Sequence, residues 1–366
     1  MALGVGPLAG LRFVEMAGMG PAPFASMILA DLGAEGIRIE SPKKSLEITK
    51  ARTDVLRRGR TSMVVDIGEE AGRQVVLELC RDADILIEGF RPGVMERRGL
   101  GPDDCFEVNP RLVYGRLTGW GQEGPLARVA GHDLDYVAVA GVLAHIGRRG
   151  QPPTPPINLV GDFGGGSMLL LVGLLAALWE TQRSGVGQVV DAAMIDGSAL
   201  LMSMMHGLAA GGRWSDEAGV NLLDSGTPFY DVYGTKDGKW LAVACLEPKF
   251  YADWLDGAGL AGEDLPDQHD LSGWPILRER FAEAVATKTR DEWVEIFDGR
   301  DACVAPVLTM HEAPLYPHNR ERGNFIEIDG IVQPAPAPRF SRTPTSTPAK
   351  ARALQPGVTA QWTERA

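Results

Sequence analysis

The sequence is poor in the features that mark a secreted, membrane-spanning or nucleic-acid-binding chain. Its four cysteines, Cys80, Cys105, Cys245 and Cys303, lie far apart with no C-x-x-C pair. Neither a disulfide framework nor a metal site is indicated, and reduced, buried thiols are expected. Lys and Arg number 36 against 48 Asp and Glu, a formal net charge of −12. That balance argues against nucleic acid as the main ligand, because phosphate backbones are held by an excess of basic side chains. The longest apolar run, Met168 to Trp179, is shorter than the roughly 20 residues that cross a bilayer, so no membrane span is expected. The opening MALGVGPLAG has neither a charged n-region nor a long apolar stretch, and a cytoplasmic location is the expectation.

What is present is a globular composition of 366 residues, 45% apolar and 23% charged, enough for two or three compact units at about 150 residues each. Residues 11–15 (LRFVE) read as a buried strand, followed by a Gly/Pro turn, a helix over Pro23–Leu32 and a strand over Gly36–Glu40. The alternation continues with a strand at Ser62–Ile67, a helix at Glu69–Arg81, a strand at Asp84–Glu88, a short helix at Gly93–Arg98 and a strand at Arg111–Leu117. Strands and helices alternating at these lengths require crossovers, hence a parallel sheet covered on both faces. The expected fold is α/β, with a large doubly wound domain over residues 1–200. Within it Ser167–Arg183 reads as a long core helix and Gln188–Asp191 as a strand. The turn Gly18-Met19-Gly20-Pro21-Ala22-Pro23 opens like G-x-G-x-x-G but carries Pro where the last Gly belongs, which argues against a dinucleotide site.

Residues 201–224 read as a linker helix region, in which Met202–Met205 fit a packed helix. From there the texture changes. Two alternating runs flank Asp237-Gly238, a hairpin signal, and helical patterns follow at Lys249–Leu255, Ile276–Ala286 and Arg290–Phe297. A smaller α+β domain over 225–318 is expected. The last 34 residues, 333–366, hold six prolines and few periodic apolar positions, so they are expected to be extended or partly disordered.

Three places carry residues suited to chemistry. Between Lys43 and Arg60 stand Lys43, Lys44, Lys50, Arg52, Arg57, Arg58 and Arg60 against Glu47 and Asp54. Such a cluster either steers an anionic ligand or forms a solvated charged face. Gly131-His132-Asp133 follows the Gly-rich stretch 119–125, and an imidazole on such a turn serves either as a base near neutral pH or as a hydrogen-bonded structural group. Gly161-Asp162-Phe163-Gly164-Gly165-Gly166-Ser167 precedes the long apolar helix, with Asn158 upstream. Asp162 there is either a helix cap or a catalytic carboxylate, and Gly164–Ser167 would expose N–H groups at a helix start for a developing oxyanion.

Taken together, GDFGGGS at 161–167, AGHDLDY at 130–136, EGFRPGVMERRGLG at 88–101 and the opening VEMAGMGPAPFASMILADLGAEGIRIE resemble the class III coenzyme A transferase superfamily over nearly the whole chain. His132 within GHDLDY is similar to the α-methylacyl-CoA racemase branch, where this His and the later Asp are the two catalytic bases. Transferases of the superfamily share the GD pair and use its Asp as a nucleophile. The resemblance implies a racemase or epimerase that interconverts (R)- and (S)-2-methylacyl-CoA thioesters through an enolate, with a CoA transferase acting through an anhydride at Asp162 as the alternative.

By the same resemblance His132 and Asp162 would be the bases, Asn158 would support Asp162 and Glu247 would orient His132. CoA would be held by Val65, Asp66, Ile67 and Gly68, by Gly89, Phe90 and Arg91, by Arg97, and by Gly131, Asp133, Leu134, Asp135 and Tyr136. No metal or redox cofactor is implied, since CoA is part of the substrate. One departure stands at Glu40-Ser41-Pro42, where family members carry an Arg before the Pro. Ser41 makes no paired phosphate contact, and Lys43, Lys44 or another basic residue of 43–60 would compensate. The family also implies a large Rossmann-like domain plus a small one, a last segment, 319–366, that returns to the large domain, and an interlocked homodimer.

Overall fold

A computed structural model describes residues 5–43, 50, 52–355 and 357–364. The chain divides into two compact units, the first made of 1–140, 157–201 and 316–366, the second of 141–156 and 202–315. The first begins with β1 (Arg12–Met16), α1 (Pro21–Asp31), β2 (Glu35–Glu40), β3 (Arg60–Val64), α2 (Glu70–Arg81), β4 (Ile85–Glu88), α3 (Pro102–Val108) and β5 (Val113–Thr118). Next come α4 (Asp133–Val139), a π-helix (Leu159–Met168) running straight into α5 (Leu169–Ser184), β6 (Val189–Ala193) and α6 (Met194–Leu201). The six strands pair in parallel in the order β3-β2-β1-β4-β5-β6. The mixed α/β architecture with a large parallel sheet is therefore as the alternation requires.

β1 is buried along its whole length, because the sheet has a separate apolar layer on each face. Val14, Met16, Ile37 and Leu86 face Val76, Leu79, Cys80 and Cys105 on one side. Phe13, Ile85, Ile87 and Val113 face Ala25, Leu29, Leu170 and Leu174 on the other. The side-chain period of two sends alternate strand residues into the two layers. In this order successive strands are added on one side of β1 up to β3 and on the other from β4, and the crevice outside the carboxyl ends of β1 and β4 is where open α/β sheets bind ligands.

The second unit carries α7 (Ser203–Ala210), the antiparallel β7 (Tyr230–Gly234) and β8 (Trp240–Ala244), α8 (Pro248–Ala258), α9 (Trp274–Val285), α10 (Arg290–Phe297) and β9 (Val304–Pro306). Its core joins Trp254 and Trp293, stacked on Phe297, with Phe281, which meets Trp254 edge-on, and with Tyr233, Leu241 and Val243 of the β7-β8-β9 sheet. Gly141–Pro156, which the sequence reading leaves within the first 200 residues, belongs here: Arg148 pairs with buried Asp231, and Trp214 Nε1 donates to His145 Nδ1 at 3.2 Å.

The chain then returns to the first unit with α11 (Pro317–Arg322), the hairpin β10 (Phe325–Ile328) and β11 (Ile331–Pro334), and β12 (Arg352–Ala353), a seventh parallel strand beside β3. The Pro-rich tail is extended but pinned. Ala360 is buried in the α2-side core, Trp362 Nε1 donates to the Leu79 carbonyl at 3.1 Å, and the Thr363 hydroxyl donates to Glu35 at 2.8 Å.

One sequence reading changes in extent. The long helix does not start at Ser167 but continues back through the π-helix to Leu159. The whole element, Leu159–Ser184, is long and apolar enough by length and composition to cross a membrane, with 39% of its most apolar window buried. Met168, Val172, Leu175 and Trp179 form an exposed stripe along it.

Candidate active site

The glycines of 161–166 set the geometry. Gly165 and Gly197 bring the π-helix and α6 into backbone contact: a Cβ on Gly197 would fall 1.8 Å from the Gly165 carbonyl oxygen, and one on Gly165 would fall 2.7 Å from the Ser198 nitrogen. These glycines serve close helix packing. They lie well inside a helical element, so the expectation that Gly164–Ser167 supply first-turn donors for an oxyanion is not met. The first turn belongs instead to Leu159–Asp162. Phe163 N–H bonds back to the Asn158 carbonyl, the wide i→i+5 step of a π-helix, an element enriched at functional sites.

That first turn leaves the Asp162 N–H without an intrahelical partner, and Asp133 accepts it through Oδ1 at 2.7 Å. Asn158 Nδ2 donates to Asp162 Oδ2 at 3.3 Å. Burial pushes the Asp162 carboxyl up to about 6; the Asn158 hydrogen bond and the His132 imidazole pull it back, while the Asp133 charge raises it. Asp162 is thus held where both protonation states are populated near neutrality. Gly20, at the head of α1, lies against it: a Cβ there would sit 3.2 Å from Asp162 Oδ2, and φ is +69°. Phe24 stacks on Phe163 with ring centroids 4.4 Å apart. The Gly18–Pro23 turn, which reads from sequence as a failed dinucleotide loop, therefore forms the wall beside this carboxylate.

His132 is the exposed N-cap residue of α4, its backbone N–H bound to Asp135 at 2.9 Å. Gly131, Asp133 and Tyr136 pack the same turn. The Tyr136 hydroxyl donates to the Gly131 carbonyl, its ring meets Trp120 edge-on at 4.9 Å, and burial together with the Asp162 charge lifts its phenol to about 12. Asp133 is buried, whereas Leu134 and Asp135 are exposed on the solvent side of the turn.

The other candidates line the carboxyl ends of neighbouring strands. Glu88, buried at the end of β4, accepts the Phe90 N–H at 2.7 Å and so shapes the Gly89-Phe90-Arg91 turn, leaving Arg91 exposed. Burial pushes Glu88 up to about 7 against the pull of that bond and of Arg116. Val65, Asp66, Ile67 and Gly68 follow β3, with the Gly68 N–H on Asp66 Oδ1 at 2.8 Å. The guanidinium over this segment is that of Arg98, within 2.9 Å of where a Gly68 Cβ would be, and Arg97 instead lies beside Gly93. Sequence reading missed Gly20, Phe24, Glu88, Arg98 and Trp120. The G-x-G opening and the EGF and GWG runs mark those turns, but only the fold brings them together.

The basic cluster is divided by burial. Arg57 pairs with Glu40, Arg58 with Asp31 at 2.5 Å, and Arg60 with Glu15, so these three neutralise carboxylates at and beneath the edge of the sheet. Lys43, Lys50 and Arg52 are exposed, as is Ser41; Lys44 lies outside the described residues. Glu247 belongs to the second unit, as the exposed N-cap of α8. Also in that unit, Met202 and Met205 line an apolar cavity of about 400 Å³ with His145, Trp214 and Leu223. No residue of α7 is buried, which corrects the reading of Met202–Met205 as a packed helix. Among the described residues no group of three His, Cys, Asp or Glu is arranged to hold a metal.

The chain that carries this site matches a known family along nearly its whole length. Residues 8–361 fit the family model described as CoA-transferase family III. The chain belongs to that family. Among curated relatives, the mouse protein named alpha-methylacyl-CoA racemase is 46% identical over 94% of this chain and 89% of its own length. Its human counterpart of the same name is 44% identical over 92% and 87%. A solved CAIB/BAIF family protein from Brucella suis superposes with a TM-score of 0.82, covering 96% of this chain and 97% of its own, at 24% identity, a likeness of fold.

Proposed function

We propose that this family member is a racemase acting on 2-methylacyl-CoA thioesters. It is an isomerase that removes the hydrogen α to the thioester from one face and returns one to the other. The observation that carries the reading is Asp162: a carboxyl raised to about 6, beside Asn158 and within the field of His132, in a chain nearly half identical to two proteins named for this activity. A two-base exchange needs groups that both give and accept a proton near the working pH. In this reading His132 and Asp162 are the bases, Asn158 steadies the Asp162 carboxylate, and Glu247 orients His132. The turns at Val65–Gly68, Gly89–Arg91 and 131–136, together with Arg97, hold CoA. Exposed Lys43, Lys50 or Arg52 replaces the phosphate contact that Ser41 cannot make.

The same reading includes a homodimer. A contiguous exposed stripe of Met168, Val172, Leu175 and Trp179 is the kind of surface that associates, and we assign it to a second copy in a cytoplasmic enzyme. No redox or metal cofactor enters the proton transfer. The alternative, CoA transfer through an anhydride at Asp162, uses the carboxylate but gives the imidazole no task. The test is incubation of a single enantiomer of a 2-methylacyl-CoA with enzyme, with and without a labelled free acid, followed by chiral analysis. Inversion without added acid supports the racemase. Label moving into thioester with configuration retained supports the transferase.

A further inference from the structure

The buried carboxylate of Asp133 is not explained by a part in holding CoA. Its Oδ1 accepts the first-turn N–H of Asp162 at 2.7 Å, and its Oδ2 is sealed from solvent with no hydrogen-bond partner. The residue follows His132 directly in the chain and opens α4. Its approach to the π-helix is close enough that a Cβ on Gly161 would fall 2.6 Å from Oδ1 and would have to push the carboxylate aside. One side chain thus joins the backbone that carries the imidazole to the backbone that carries the carboxyl.

We infer that Asp133 is a positioning residue that fixes the separation of His132 and Asp162 by tying the start of α4 to the first turn of the π-helix. This inference rests on the two-base reading. A proton returned to the opposite face of a planar enolate demands bases held at a set distance, and a displacement of about 1 Å costs on the order of 100-fold in rate. The other groups facing Asp162 do not make this link. Asn158 caps the same element as Asp162, Gly20 comes from the head of α1, and the α6 residues Met194, Gly197 and Ser198 meet Gly165 and Gly166 further along the π-helix. Tyr136 feels the Asp162 charge, but its hydroxyl is bound to Gly131 and makes no tie between the two elements.

Racemisation of a single 2-methylacyl-CoA enantiomer is measured across pH 5 to 9 for the wild type, Asp133→Ala and Asp133→Asn, with thermal unfolding of each. Alanine removes the tie, and kcat is expected to fall by about 100-fold with KM changed less than about threefold, the mark of lost geometry rather than lost binding. Asparagine keeps an acceptor for the Asp162 N–H, so kcat is expected to return to within about tenfold of wild type. Its acid limb should move to lower pH, because the charge facing Asp162 is gone. If the alanine variant does not fold, the asparagine variant decides. An alanine variant with wild-type kcat, a KM increase at unchanged kcat, or an asparagine variant as inactive as alanine would each overturn the inference. A wild type that inverts neither enantiomer would instead remove the racemase reading itself.

Discussion

Replacing Asn158 by Ala tests the electrostatics of the site directly. The Asn158 amide donates to Asp162 Oδ2 at 3.3 Å and favours the ionised carboxylate, while burial opposes ionisation and lifts the group to about 6. Removing the donor leaves burial less opposed, so the sign is upward. A hydrogen bond to a charged acceptor, discounted for its length and for partial exposure, is worth about 1 kcal/mol, or about 0.7 of a pH unit. On the two-base reading, Asp162 must be ionised to remove a proton, so the acid limb of kcat/KM in that direction moves from near 6 to higher pH. The measurement is racemisation or α-proton exchange of each enantiomer between pH 5 and 9. An unchanged limb, or one moved to lower pH, would refute the argument that Asn158 steadies the charged form.

Further outcomes follow from other parts of the first unit. Glu88 has a folded-state value raised to about 7 from the ordinary 4.5, so its contribution to stability is fully present below about 4.5 and lost as pH rises through 7. Glu88→Gln should therefore gain stability relative to wild type between pH 5 and 8, by at most about 3 kcal/mol, read as a Tm difference that grows with pH; a constant difference would count against it. Gly20→Ala places a Cβ on a backbone at φ +69° and 3.2 Å from Asp162 Oδ2. It should cost about 1–3 kcal/mol of stability in urea unfolding and lower kcat, whereas unchanged activity would remove the Gly20 wall from the account. Trp362→Ala deletes a ring packed on the α2-side core and its bond to Leu79. A loss of about 2 kcal/mol in urea unfolding is expected for this part-exposed side chain, and a loss near zero would show the tail to be unimportant to the first unit.

The large sheet was legible because its strands and helices alternate closely outside the stretch between Glu40 and Arg60, and LRFVE, GIRIE and DILIE are apolar enough to be buried on both faces. Asp162 and His132 were legible as candidates because each sits in a glycine-rich run. The purpose of those glycines was not. Local sequence cannot distinguish a glycine that bares a helix N–H from one that admits another helix, and Gly165 admits α6 at Gly197. Nor does composition separate a solvated Arg from a buried one. Arg57, Arg58 and Arg60 share a basic run with Lys50 and Arg52, yet their carboxylate partners Glu40, Asp31 and Glu15 come from α1 and the neighbouring strands. Asp133 and Glu88 act on backbone N–H groups across or just beyond a turn, and such partners become visible only when the fold brings the elements together. The π-helix also lay hidden, since apolar periodicity near 3.6 describes Leu169–Ser184 but not the wider turn before it.

On the two-base reading, His132 and Asp162 exchange the α-proton from opposite faces of the substrate. Proton NMR of pure (R)- and pure (S)-2-methylacyl-CoA in D₂O, with wild type, His132→Gln and Asp162→Asn, tests it most directly. Wild type is expected to wash deuterium into both enantiomers while inverting them, and each variant to stop inverting and retain exchange with one enantiomer only, opposite for the two variants. Inversion without deuterium uptake, or two variants that spare the same enantiomer, would contradict it.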